Sequence, residues 1–552
     1  TNSSAFTGNA PAMRRNMIFN DDLPPGDAVD TTAAFPNVAY VAIETSAGTG
    51  NCSGTVINRR QILTAAHCVD MADLENIRVG FGNPVDSPSF SVLSVSYHED
   101  WDSNGLGGSL KGADIAIITL DDPVLFVPPV QLDASNTSAA SLGDIVLISG
   151  YGSFGNPSTG LVSGGDGQRR IGRNVLDFVG TATDVAPLAG LVNPGTQHPL
   201  FALDLDDPSG AGPNILGGGA VDGEAIASPG DSGGGLFIET ADGLVQIGIV
   251  SFGYGIANPA NRFAYGAADF YTPVFAFRDW IDAASPFIQA STAGGNGSWS
   301  DAGYWADGIV PQNFNGPFTV AAGPVFTPLY EVFLDGPGLT RVEDGDFFEI
   351  DALTLSDPAA ELGISELGVL IAESFIDIQA GTIYLDGVLG TSQMRVQDGG
   401  ELLVTENGVF VETAPVFDGG VFQQGGLIDV AGLFFTDGLI LSGGQFTLRD
   451  TGYYFDYGGS LVLDGRLDID GYWDTDLFTQ FGGLTDIGES GILFDYQGIS
   501  LLGGGTLNVD GEFDTLAFIH DGGTVAGRGI ILAPDIYYHA NGVIMPGGPV
   551  PG

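Results

Sequence analysis

Basic residues are nearly missing from this chain. Among 552 residues there are 16 Lys and Arg against 68 Asp and Glu, a formal net charge of −52, and Lys111 is the only lysine. A field of that sign repels nucleic-acid phosphates and anionic membrane surfaces, which excludes both as partners. Long apolar runs are missing too. No stretch approaches the roughly 20 residues that a membrane-spanning helix needs, so no membrane span is expected in this chain. Thr1-Asn2-Ser3-Ser4 shows no basic-plus-apolar signal pattern, so any signal peptide is expected to have been removed already. Cysteine is reduced to Cys52 and Cys68, a pair that alone says little about compartment. Disorder is excluded by 44% hydrophobic residues, 35 of them Phe. The carboxylate excess reads as a heavily hydrated surface, stable in salt where screening weakens self-repulsion. Calcium is the one ion left open, because an aspartate count defines no coordination shell.

A chain of this length exceeds one ordinary core, so two or three domains are expected. The 86 glycines point to many tight turns between short strands, hence an all-β protein. Residues 1–30 are polar, with Arg14-Arg15 and Pro24-Pro25-Gly26, and read as an arm or processed leader. Residues 31–287 alternate short apolar segments (Val38–Ile43, Ile115–Leu120, Val245–Val250) with turn signals, as strands of a barrel or sandwich do. Phe275–Ala284 reads as a terminal helix, and Gly294-Gly295-Asn296-Gly297 as a flexible joint. In residues 288–552, Gly-Gly pairs recur about every twenty residues, as at Gly399-Gly400, Gly419-Gly420, Gly443-Gly444, Gly482-Gly483 and Gly503-Gly504. That spacing falls in the solenoid range. Stacked rungs bury what one rung cannot, which predicts a parallel β-helix, with a large irregular β-sandwich as the alternative.

Chemistry concentrates in the first half. Gly230-Asp231-Ser232-Gly233-Gly234 places a serine between glycines, where the backbone turns sharply and free N–H groups can hold an oxyanion. Leu63-Thr64-Ala65-Ala66-His67-Cys68 adds a histidine. Ala113-Asp114-Ile115-Ala116 sends an acid into an apolar strand, where an unpaired carboxylate would be costly.

Together with Cys52-Ser53-Gly54-Thr55, these segments resemble the chymotrypsin/trypsin family in its His, Asp, Ser order. Ser251-Phe252-Gly253 resembles its substrate-pairing strand and Phe270-Tyr271-Thr272-Pro273-Val274 its last strand, so the similarity spans roughly residues 35–285. The resemblance implies a chymotrypsin-like double β-barrel and a serine endopeptidase acting on proteins or peptides without a required cofactor or metal. It makes Ser232 the nucleophile, His67 its base and Asp114 the orienting acid, with the amides of Gly230 and Ser232 as oxyanion hole. It also implies a Cys52–Cys68 disulfide, and with it a secreted or cell-surface, extracellular setting.

Specificity departs from the family pattern. Where trypsin carries an aspartate six residues before the serine, this chain has Ile226. Asp269 lies just ahead of Phe270 on the other pocket wall, and it or Glu224 could receive Arg or Lys. An apolar or broad preference is the competing expectation. The family's usual Ile-Val-Gly-Gly start is also absent, and cleavage near Arg15 is expected to generate the terminus that pairs with Asp231.

In the second half, Gly297-Ser298-Trp299-Ser300-Asp301 and Tyr304–Pro311 resemble the entry segment of bacterial autotransporter-like β-helices. Two tryptophans are expected to cap the solenoid, with a sugar-binding platform as the alternative. Ile544–Gly552 resembles a Pro-Gly motif near the end of such proteins. Asp464, Asp468, Asp470 and Asp486 read as solvated turn residues. The β-helix is thus expected to be a stalk, display platform or binding surface with a glycan or cell-surface partner. The rival readings are a surface adhesin whose protease unit serves maturation and, by fold analogy alone, a polysaccharide lyase or hydrolase.

Overall fold

The computed structural model describes residues 17–547 apart from 46–47, 71, 86–89, 104–106, 125–126, 135–136, 163–165, 193–194, 242, 257–262, 314–317, 320–324, 327 and 414–419. Arg14, Arg15, Gly419 and residues 548–552 of the Pro-Gly tail lie outside the described residues. The chain divides into two compact units near Ser285/Pro286. The division falls ahead of the glycine stretch expected to be a joint. Phe287–Ser291 already pairs with Leu329–Leu334, and Gly297–Ser298 with Thr340–Arg341, so those glycines belong to the second unit's first turn.

The first unit is nearly all-β. A closed barrel runs through Val38–Thr45, Gly48–Asn58, Gln61–Thr64, Ala116–Leu120, Phe90–Tyr97 and Ile77–Gly80. Its interior is filled by Val41, Val56, Ile62, Val79 and Ile118, all fully buried, as small barrels require. The second sheet passes through Arg170–Val175, Ile145–Gly150, Gly235–Thr240, Gly243–Tyr254, Ala268–Pro273, Leu200–Asp204 and Phe178–Gly180. It stays open among the described residues, and the six-stranded barrel with this half-barrel is chymotrypsin-like, as the resemblance implied. The expected terminal helix is shorter, Arg278–Ala283 after a 3₁₀ turn at Val274–Ala276.

The second unit is a parallel β-solenoid. Leu433–Thr436, Gln445–Leu448, Tyr453–Asp456 and Arg466–Ile469 alternate outward and inward residues, the period of two that a pleated strand imposes. Each strand pairs in register with the equivalent strand one turn later, as Phe434 with Tyr454 and Tyr454 with Trp473. Inside, Phe410, Phe434, Tyr454 and Trp473 form a stacked column. Gly443-Gly444, Gly482-Gly483 and Gly503-Gly504 stack at one corner. Gly483 (φ 65°) and Gly505 (φ 74°) take the left-handed conformation, and a Cβ on either would lie 2.5 Å from a carbonyl of the turn before. Any side chain there would separate the rungs. Among the described residues no helix is long and apolar enough to cross a membrane.

Trp299 and Trp305 are buried in this same core, edge-to-face at 4.9 Å, with Trp299 also against Phe348. Their indole N–H groups donate to the carbonyls of Pro311 and Trp299. Rings so enclosed close the core and cannot serve as the sugar-binding platform considered above.

Candidate active site

Asp114 follows the turn after the short helix Gly107–Lys111 and precedes strand Ala116–Leu120, and it is fully buried. Its carboxylate has a full set of donors. The His67 amide donates to Oδ1 at 3.0 Å, the His67 ring meets Oδ2 through Nδ1 at 2.7 Å, and Ser251 Oγ and Ser109 Oγ donate to Oδ2 at 2.5 and 3.1 Å. Burial alone would raise the Asp114 pKa, but the His67 charge and the bonds from His67 and Ser251 hold it below the usual carboxylate range. The reciprocal holds for His67. Burial pulls its pKa down, and the Asp114 charge and hydrogen bond overcome this and raise it.

His67 lies in the one-turn helix Ala66–Val69, beside the disulfide that Cys68 makes with Cys52. Its side chain is 33% exposed and opens onto a cavity of about 450 Å³ that Ser232 also lines. His67 Nε2 lies 3.9 Å from Cys68 Sγ, and no hydrogen bond joins it to Ser232 Oγ in this resting geometry. Such bonds often tighten only with substrate bound.

Ser232 sits on a turn that only glycine permits. Gly230 has φ 102°, and a Cβ there would lie 2.7 Å from the Gly152 Cα. Gly233 has φ 83°, and its Cβ would lie 2.3 Å from the Ser53 carbonyl. The amides of Asp231, Gly233 and Gly234 are bonded internally, to Ser228, Val250 and Asp231. Those of Gly230 and Ser232 donate to no protein group among the described residues. Two unused N–H groups beside a serine hydroxyl can stabilise a developing oxyanion.

Asp231 points away from the cavity and is fully buried. It accepts from the Gly152 amide (2.8 Å), the Ser228 amide (2.9 Å) and hydroxyl (3.2 Å), and the Met17 amide (3.3 Å). Burial pushes its pKa up to about 6, against the lowering effect of these donors.

The remaining residues singled out from sequence separate into two groups. Ser251, Phe252, Gly253 and Asp269 line the cavity with Ala227, Ser228 and Val250. Gly253 and Asp269 are paired across adjacent strands, and a Cβ on Gly253 would come within 2.6 Å of Asp269 Oδ1. Ile226 does not line the cavity. It is fully buried behind it with Ile18, Leu205 and Ala267, because its strand pairs with Ile18–Phe19. Glu224 is turned inward as well, its carboxylate accepting from the amides of Asp206 and Val221. Burial raises its pKa to about 7, and it braces its own loop instead of meeting substrate. The side chains of Ser109 and Ser251 are what sequence missed as partners of Asp114. Ser251 carried a strand signal only, and Ser109 carried none.

The trypsin family model matches residues 26–166 and 209–281. A thrombin-like enzyme of Gloydius ussuriensis (CPI-enzyme 2) is 30% identical over 247 residues, covering 42% of this chain and 76% of that one. The chain belongs to the trypsin family. A vitellin-degrading protease of Bombyx mori is 27% identical over 245 residues, 43% of this chain and 76% of its own length. The proclotting enzyme of Tachypleus tridentatus is 28% identical over 254 residues, 42% of this chain and 57% of its own. These trypsin-family matches cover the first half, and the protein is a trypsin-like serine endopeptidase joined to a β-solenoid.

Proposed function

We propose that this is a secreted endopeptidase in which Ser232, His67 and Asp114 form the catalytic triad, with cleavage directed to the carboxyl side of Arg or Lys. The observation that carries the reading is the cavity itself. It brings Ser232 and the Asp114-oriented imidazole of His67 to one wall, next to the two unused amides of Gly230 and Ser232. His67 Nε2 takes the Ser232 proton as Oγ attacks the scissile carbonyl, and Asp114 stabilises the imidazolium and fixes its tautomer. The two amides hold the oxyanion. The imidazolium then gives its proton to the leaving amine, and water completes hydrolysis of the acyl-enzyme by the same route.

Asp269 supports the preference for a basic side chain. It is 3% exposed, lines the cavity beside Gly253, and is the one carboxylate among the described residues to do so. The disulfide supports an oxidising, extracellular compartment, and the solenoid serves as a display or binding element for the protease.

Activation follows from Met17. It is fully buried, its N–H donates to Ser228 Oγ at 3.1 Å and Asp231 Oδ2 at 3.3 Å, and it holds a left-handed backbone, φ 58°, a costly conformation for a residue with a side chain. Hydrolysis of the Asn16–Met17 bond, next to Arg15, would release that constraint and turn a neutral amide into an ammonium facing the Asp231 carboxylate. Mass spectrometry finding an intact N-terminal segment in fully active enzyme would rule this out.

The central test is covalent labelling by an active-site serine reagent, comparing wild type with Ser232→Ala. Labelling is expected only in wild type, and equal labelling overturns the triad. Matched Arg, Phe and Ala peptides test specificity. Asp269→Ala is expected to lower kcat/KM for the Arg peptide on the order of 100-fold, since a buried ion pair is lost, with little change for Ala. An unchanged ratio would favour the apolar or broad preference.

A further inference from the structure

Four of the five histidines in the chain meet in two pairs outside the catalytic cavity, His520 with His539 in the solenoid and His98 with His198 in the protease unit. His98 follows the strand Phe90–Tyr97, and His198 precedes the strand Leu200–Asp204. With Asp100 they place one donor atom each within 4.8 Å of one another. His198 Nε2 lies 2.8 Å from Asp100 Oδ2, and His98 Nδ1 lies 3.8 Å from the same oxygen. We propose that His98, Asp100 and His198 form a binding site for a divalent transition metal of the zinc type.

The donor set is the first argument. Two imidazoles and a carboxylate match what zinc takes and what calcium and magnesium avoid. Donors at about 2.0–2.1 Å from one tetrahedral zinc stand about 3.3 Å from each other, and the two distances here bracket that value. The second argument is the tautomer. The Asp100 amide N–H donates to His98 Nδ1 at 3.2 Å, so this nitrogen is unprotonated, and a metal would take over the lone pair that the amide now holds. The neutral tautomer is the one that binds metal.

The third argument is that the ligands are held in advance. Both rings pack on Phe277, at 4.9 and 4.8 Å, and His98 also packs on Trp280. The His98 amide donates to the Ile115 carbonyl and the His198 amide to that of Lys111. Side chains far apart in sequence therefore converge without an ordering cost at binding. The Asp100 side chain is 36% exposed, which leaves the fourth position of a tetrahedral ion open to water. A His–Asp ion pair alone would use only one of the two imidazoles.

The experiment uses the full chain carrying Ser232→Ala to prevent self-cleavage, titrated with Zn²⁺ by calorimetry in the presence of excess Ca²⁺. One tight Zn²⁺ per chain is expected. Asp100→Asn and His198→Gln should each weaken it by at least about tenfold, the least that loss of a mere supporting partner costs, with unchanged circular dichroism showing both variants folded. His67→Gln should leave it intact. Unchanged affinity in both site variants, loss of binding in His67→Gln, or displacement of Zn²⁺ by Ca²⁺ would each overturn the assignment.

Discussion

Asp231→Asn removes a carboxylate that is fully buried and faces four donors, none of them charged while residue 17 remains an amide. Its pKa stands at about 6 against an ordinary 3.8, so the native state binds this proton more tightly than the unfolded chain does. Below pH 3.8 both states are protonated and the group costs nothing. Between 3.8 and about 6 the cost grows, and above 6 it is complete. At about 1.4 kcal/mol per pKa unit the full penalty is about 3 kcal/mol. Melting curves of the uncut Ser232→Ala chain, with and without Asp231→Asn, isolate this group from every other titration. The Asn form should gain about 2.4 kcal/mol relative to its parent between pH 4 and pH 7, or about 5–10 °C in the melting of a unit this size. A constant offset from the lost hydrogen bonds does not matter, because only the slope is read. A difference that stays flat across that range would refute the reasoning. In chain cut before Met17 the trend should reverse. An ammonium partner lowers the Asp231 pKa, and the stability it adds is then lost on acidification.

Two further outcomes are expected. Cys52→Ser/Cys68→Ser opens a loop of sequence separation 16 and should lower stability of the protease unit by about 3 kcal/mol, read by urea unfolding of that unit, while the solenoid transition stays in place. Trp473→Ala should destabilise the solenoid by about 3–5 kcal/mol, measured the same way. This indole is fully buried, stacks on Tyr454, and donates to Ser460 Oγ. An effect below about 1 kcal/mol would mean the aromatic column does not bear on the stability of the turns.

The two halves were legible in sequence for different reasons. In the solenoid, successive turns meet the same steric constraint, so glycines repeat at corners where a Cβ would strike the neighbouring rung. In the protease, the turn around Ser232 admits only glycine at 230 and 233, and this short-range demand leaves a local signature. Ile226 shows the opposite. Its position relative to the serine suggested a pocket floor, yet pairing with Ile18, more than two hundred residues away in sequence, turns it into the core. Local spacing carries no record of that pairing.

Sequence alone determined the serine endopeptidase class, the all-β class and the solenoid half, because each rests on residue types at short range or on repetition. Tertiary structure decided which acid faces the cavity. Asp269 and Glu224 were equivalent as letters, and strand pairing sent one to the pocket wall and the other under its own loop. It also decided that Ser109 and Ser251 would complete the Asp114 site, and that His98, Asp100 and His198 would meet. Such contacts depend on where strands distant in the chain come to lie, and only burial of the two sheets fixes that.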